Sequence, residues 1–212
     1  MNTGMDDDVS NIKNVRKTAV IDSELYRLQV DIAALQETRL AGQGSIKEND
    51  YTFFWCGKSI DERKDHGVGF AVKNSLLKIV ELGEDGNERL LTLRLHTTNG
   101  TATLVSAYAP TLYSADEVKD AFYERLHHII SKTPKQDHLI LLGDFNARVG
   151  TDYESWTPCL GKFGIGKQNS NGLRLLELCT LHNLCVTNSF FQTKPLHKVS
   201  WRHPRIGTSW TL

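Results

Sequence analysis

Leu139-Ile140-Leu141-Leu142-Gly143-Asp144-Phe145-Asn146 decides how this chain is read. Four apolar residues in succession, with no polar interruption, predict a short strand covered on both faces. The glycine that follows lets the backbone turn where a carboxylate and an amide appear. Asp144 and Asn146 are therefore expected at the mouth of a sheet, where the interior fixes the backbone and the rim stays open to ligand.

A second apolar stretch ends in the same way. Val30 to Leu35 reads as a short buried strand running into Gln36 and Glu37, which puts another carboxylate at a strand terminus. Two such rims can share one divalent cation. Magnesium takes hard oxygen ligands, typically one or two protein carboxylates, and leaves its other positions to water and phosphate oxygens.

Outward from these rims the pattern alternates helix and strand. Ile12, Val15, Ala19, Leu25 and Leu28 recur at near-helical spacing, so one amphipathic helix is expected from Asn11 to about Gln29. Tyr51 to Cys56 reads as an aromatic strand. Val68, Phe70 and Val72 alternate, as do Leu91, Leu93 and Leu95, and Asn99-Gly100 marks a turn before Ala102 to Tyr108. These hairpin signatures imply mixed strand directions.

Tyr108 closes its strand just before Pro110, which cannot continue a ladder; on residue type alone it caps the core edge. Ser114 and Glu117 form a capping-box pattern ahead of the apolar face of Val118, Ala121, Phe122, Leu126, Ile129 and Ile130, and Pro134 ends that helix. His127 and His128 are adjacent, so they point about a hundred degrees apart and are read as surface residues. The glycine-rich loop Gly161 to Gly166 lacks the Gly-Lys-Ser/Thr ending of a P-loop. Ser170-Asn171-Gly172 opens a leucine-rich helix, with Asn171 read equally as a cap, and Val186 to Phe191 is expected to be a strand. Near the end, Lys194, His197, Lys198, Arg202, His203 and Arg205 surround Trp201, a mixture of cations and an aromatic that suits phosphates and an exposed base.

Composition bounds the answer. A chain of 212 residues with 40% hydrophobic content fits a single α/β domain over 1–212 and is not disordered by composition. Lys+Arg and Asp+Glu balance at 25 each, so binding of nucleic acid must come from a local patch. Cys56, Cys159, Cys179 and Cys185 show no Cys-x-x-Cys spacing, which argues for reduced thiols inside a cell rather than zinc or a redox pair. No window approaches a membrane span, and the start is acidic at Asp6-Asp7-Asp8.

Gln36-Glu37-Thr38, Tyr108-Ala109-Pro110 and Gly143-Asp144-Phe145-Asn146 together resemble the endonuclease/exonuclease/phosphatase superfamily. His66-Gly67-Val68-Gly69-Phe70-Ala71-Val72 and Ser200-Trp201-Arg202-His203-Pro204 extend the resemblance to about Arg205, in a branch similar to the endonucleases of non-LTR retrotransposons. The resemblance implies a four-layer α/β sandwich, two mixed sheets packed face to face with helices outside. It implies Glu37 as the metal ligand for Mg2+, with Mn2+ as a second option. Asp144 would orient or deprotonate water, Asn146 fix the phosphate and Tyr108 support the transition state. Asn171, Trp201 and Arg202 would touch substrate, and DNA would be the partner, in the nucleus or cytoplasm and without a membrane.

The chain also departs from the superfamily pattern. Asn14 resembles an asparagine of the first strand, but it sits in the helical pattern and is read as a surface helix residue, so the first strand is expected to be missing. The closing segment is Ile206-Gly207-Thr208-Ser209-Trp210-Thr211-Leu212, without the Ile-Asp-Tyr-like strand and Asp-His pair of the superfamily. The sheets are then expected to have uncovered edges. Three readings remain at this point: a magnesium-dependent DNA endonuclease, a catalytically incomplete remnant that at most binds, and a phosphoesterase for a small phosphate ester.

Overall fold

A computed structural model describes residues 6–84, 86–194, 201–202 and 209–210, with side chains described over 17–84 and 86–194. It divides into two compact units, Met1–Ala107 with Lys135–Gly143, and Tyr108–Pro134 with Asp144–Leu212. The outcome is an α/β fold with two four-stranded sheets and one two-stranded pair among the described residues.

The first unit begins with helix α1 (Asp6–Arg27), followed by strands β1 (Ile32–Gln36), β2 (Gln43–Lys47), β3 (Tyr51–Cys56) and β4 (Val68–Lys73). These strands form one antiparallel sheet in the order β1-β4-β3-β2. Leu25 of α1 packs with Ala33, Leu35 and Ile46 around Tyr51, Phe53 and Ala71, so α1 covers one face of that sheet. Asp22 anchors the helix there. It is 2% exposed, and its Oδ1 accepts from Tyr51 N at 2.8 Å and Asp50 N at 3.2 Å, bonds that offset the cost of burying a carboxylate.

The second sheet has the order β5-β6-β7-β8, with β5 (Val80–Leu82), β6 (Leu90–Thr97), β7 (Gly100–Tyr108) and β8 (His138–Asp144). Asn99-Gly100 makes the β6–β7 hairpin that the sequence predicts, with Thr97 opposite Gly100. Strand β6 packs on β3 and β4. Val68, Phe70, Ala71, Val72, Leu90, Leu93 and Val105 are all fully buried. The alternation at Val68, Phe70 and Val72 thus does not mark a half-solvated strand: β4 lies between β1 and β3 and is buried on both faces. The start of β8 is tied to its sheet through Asp137, whose side chain is 1% exposed and accepts from Arg94 Nε at 3.1 Å and Thr103 Oγ1 at 2.8 Å.

Strand β8 corrects the expectation of cover on both faces. Ile140 is 44% exposed, because β8 is an edge strand among the described residues. Its hydrophobic run reflects a strand buried at one face and along one side only. Strands β7 and β8 advance together, with Gly143 against Ala107 and Ala109 N donating to Asp144 O at 2.9 Å, the arrangement of a parallel pair joined by a helical crossover.

The second unit contains α2 (Asp116–Lys132), α3 (Ser170–His182) and an antiparallel pair β9 (Trp201–Arg202) and β10 (Ser209–Trp210). The capping box expected at Ser114 and Glu117 does not form. Helix α2 starts after Ala115, which makes no side-chain cap, Ser114 Oγ meets Thr111 Oγ1 at 3.3 Å, and Asp116 and Glu117 supply negative charge to the first turn. Val186 to Phe191 is not a strand either. Thr187–Phe190 forms a 3-10 turn, with Ser189 buried and its hydroxyl accepting from Gly161 N at 2.8 Å. The β-branched and aromatic residues there satisfy a local turn rather than a ladder.

Candidate active site

Glu37 follows β1 directly, and its φ of 53° lies in the left-handed region that side chains other than glycine and asparagine rarely enter. The next residues fix it there: Thr38 N donates to Gly67 O at 3.1 Å and Arg39 N to His66 O at 2.9 Å. The His66-Gly67 motif is therefore the backbone support of the Glu37 rim. On the other side, Gln36 Nε2 donates to Ser106 Oγ at 3.2 Å, and Ser106 Oγ donates to Leu35 O at 3.2 Å. The Glu37 carboxylate is 48% exposed and has Arg39 at 3.2 Å. A half-exposed carboxylate held by backbone constraint is a hard oxygen donor of the kind Mg2+ takes.

In the second unit the turn after β8 is built differently. Asp144 is half-buried, and its Oδ1 accepts from Asn146 N at 2.8 Å, an Asx-type closure that fixes the carboxylate plane. Among the described residues nothing donates to Asp144 Oδ2. Asn146 has a φ of 47°, which asparagine tolerates well, and its Nδ2 donates to Ala109 O at 2.9 Å. Tyr108, at the end of β7, is 8% exposed. Gly143 has a distinct function from the turn the sequence predicts. It sits inside β8 with a φ of 146°, and a Cβ on it would lie 1.9 Å from the Ala107 carbonyl oxygen.

Asn171 joins this loop from α3. It is 1% exposed, and its Nδ2 donates to Pro110 O at 2.9 Å and Asn146 O at 3.1 Å. Both amide hydrogens are thus committed to carbonyls beside Tyr108 and on Asn146. The cap of α3 is Asn169, whose Oδ1 accepts from Gly172 N at 2.7 Å and Arg148 N at 3.0 Å. The sequence reading placed this helix start correctly but missed Asn169, although an asparagine one residue before a helix is a recognised capping signal.

The structure therefore brings Asp144, Asn146 and Asn171 into one hydrogen-bonded web and sets Glu37 on the β1 rim of the first unit. Trp201 and Arg202 fall in β9, and their side chains, like that of Asn14 on α1, lie outside the described residues. Burial pushes the Cys179 thiol up to about 12, with Cys159 and Cys185 nearby adding to the effect. All four cysteines are free. No described helix is long and apolar enough to cross a membrane.

Comparison with known proteins gives this geometry a context. Residues 2–167 match the endonuclease/exonuclease/phosphatase family. Craniofacial development protein 2 of Bos taurus is 31% identical over 191 residues, covering 90% of this chain and 32% of the relative. Its counterpart in Tragulus javanicus is 30% identical over 191 residues, covering 90% of this chain and 33% of the relative. The chain thus spans about a third of the length of these relatives. Among solved structures, the endonuclease domain of TRAS1, a telomere-specific non-LTR retrotransposon, aligns with a TM-score of 0.56 at 18% identity, covering 78% of this chain and 65% of that one. The AP endonuclease LMAP of Leishmania major aligns with a TM-score of 0.52 at 17% identity, covering 80% of this chain and 63% of that one. At these identities the two structures support the fold.

Proposed function

Because this chain belongs to the endonuclease/exonuclease/phosphatase family, we propose that it is a phosphodiester hydrolase, and more narrowly a magnesium-dependent DNA endonuclease of the non-LTR retrotransposon type. The observation that carries the reading is the Asp144 to Asn146 turn. It presents a carboxylate with one oxygen fixed by a backbone N–H and the other left without a donor among the described residues.

Hydrolysis of a phosphodiester needs an aimed and deprotonated water, neutralisation of the phosphoryl oxygens, and stabilisation of the leaving oxygen. Asp144 Oδ2 accepts the proton of the attacking water, while the Oδ1 bond keeps the carboxylate from rotating away. Asn146 has one amide hydrogen on Ala109 O and directs the other to a phosphate oxygen. The Tyr108 hydroxyl supports the charge that develops. Members of the family generally depend on a divalent metal. The exposed Glu37 carboxylate fits that chemistry, since Mg2+ selects hard oxygens, and Mn2+ shares the preference. Glu37 would hold the metal, which when bound would neutralise phosphoryl oxygens. Trp201 and Arg202 take the roles of base stacking and phosphate pairing on residue type.

A nicking assay on supercoiled DNA with Mg2+ tests the proposal, run beside Glu37→Ala and Asp144→Ala. Cleavage abolished by both changes is expected. A folded protein that leaves the plasmid intact would contradict the enzymatic reading, and turnover of inositol phosphates without DNA cleavage would replace DNA with a small phosphate ester.

A further inference from the structure

His127 on α2 and His182 in the last turn of α3 face each other on the surface of the second unit. His182 Nε2 lies 2.9 Å from His127 Nδ1, and the ring centroids are 4.8 Å apart with planes inclined by 49°. Sequence adjacency drew attention to His127 with His128; the structural partner of His127 is instead 55 residues away. We propose that this pair is a two-imidazole site for a divalent transition metal of tetragonal preference, Cu2+ or Ni2+.

Spacing is the first argument. Metal–imidazole bonds are about 2.0–2.1 Å, so two that meet at a right angle hold their nitrogens about 2.9 Å apart, whereas a tetrahedral ion holds them at about 3.3 Å. The observed 2.9 Å is the hydrogen-bond distance between the rings, and a rotation of both rings at the same nitrogen spacing would turn the two lone pairs onto one tetragonal ion. Ligand type is the second. Imidazole suits copper and nickel, while Mg2+ takes oxygen, so this site is chemically separate from the hydrolytic metal and stands whether or not that reading holds.

The helices hold the two rings in place through other contacts. Arg174 of α3 pairs with Asp116 of α2 at 3.5 Å and also with Asp120, and the Tyr123 hydroxyl donates to Asn171 O at 3.3 Å. The pair is therefore presented by a cross-tied frame. In the free protein one ring donates to the other. Metal binding needs both lone pairs, so the donor ring moves its proton to its other nitrogen, with no net proton released. For His127 that nitrogen is Nε2, which faces Ser131 Oγ at 3.5 Å. No third His, Cys, Asp or Glu completes a metal-holding group among the described residues, so water takes the remaining positions.

Titration of the whole chain with Cu2+, followed by electron paramagnetic resonance and thermal melting, tests the site. One copper with two equivalent nitrogen ligands is expected, with Zn2+ binding more weakly. His127→Gln and His182→Gln should each weaken copper binding about tenfold or more, the loss that follows when a chelate is cut to one ligand. Neither change should lower the metal-free melting temperature by more than a few degrees. Copper affinity unchanged in either variant, or weakened as much by His128→Gln, would overturn the proposal.

Discussion

Glu37 and Asn146 both occupy left-handed backbone at the end of a strand, with φ of 53° and 47°, yet their surroundings are opposite. Glu37 has a half-exposed side chain and owes its position to backbone bonds of its neighbours with His66 and Gly67. Asn146 sits in a web in which its own N–H, amide and carbonyl are all engaged. Left-handed geometry costs glutamate about 1–2 kcal/mol and asparagine far less. The β1 rim therefore displays a carboxylate at some expense in stability, while the β8 turn is a frame held by its own hydrogen bonds.

Perturbations of the frame should be the largest. Gly143→Ala places a Cβ against the Ala107 carbonyl in a backbone region closed to alanine, so a loss of about 3 kcal/mol or more is expected in denaturant unfolding. Asn171→Ala leaves the Pro110 and Asn146 carbonyls without their donor and should cost about 2–3 kcal/mol, with DNA cleavage falling further than the folded fraction. If cleavage instead tracks the folded fraction alone, Asn171 is only structural.

Perturbations of the displayed carboxylate should separate stability from activity. Glu37→Gly removes the left-handed penalty and breaks an exposed pair with Arg39 that contributes little, so stability should hold or rise by up to about 1 kcal/mol. Cleavage should nevertheless disappear. A destabilised Glu37→Gly protein would refute the contrast between the two rims.

Sequence patterning revealed most of the scaffold because burial follows periodicity: β3, β4, β6 and β7 emerge where aromatic and branched residues cluster between turn signals. What it missed depends on partners distant in sequence. Ile140 looks like a core residue until β8 proves to be an edge, and Val186 to Phe191 looks like a strand although Ser189 finds its partner at Gly161. The site shows the same limit. Asp144, Asn146 and Glu37 stand out as polar residues ending apolar runs, whereas the commitment of Asn171 to Pro110 and Asn146 could not be read from its place before a helix.

The smallest effect should be pH dependence. Desolvation holds His182 below the usual histidine value, with His127 adding repulsion, and desolvation does the same for His66, with Arg89 and Lys58 adding to it. The unfolded chain then binds more protons than the native one between the lowered values and about 6.5, so stability should fall as pH drops through that window. Melting curves at successive pH values should show the slope, and His182→Gln should flatten it.

The central proposal assigns metal holding to Glu37 and acceptance of the attacking water's proton to Asp144. Single-turnover nicking of supercoiled DNA across a range of Mg2+ concentrations separates these roles. Glu37→Gln should shift the dependence to higher Mg2+, and Asp144→Asn should lower the plateau rate at saturating metal. Unchanged metal dependence in the first variant, or an unchanged plateau in the second, would contradict the account.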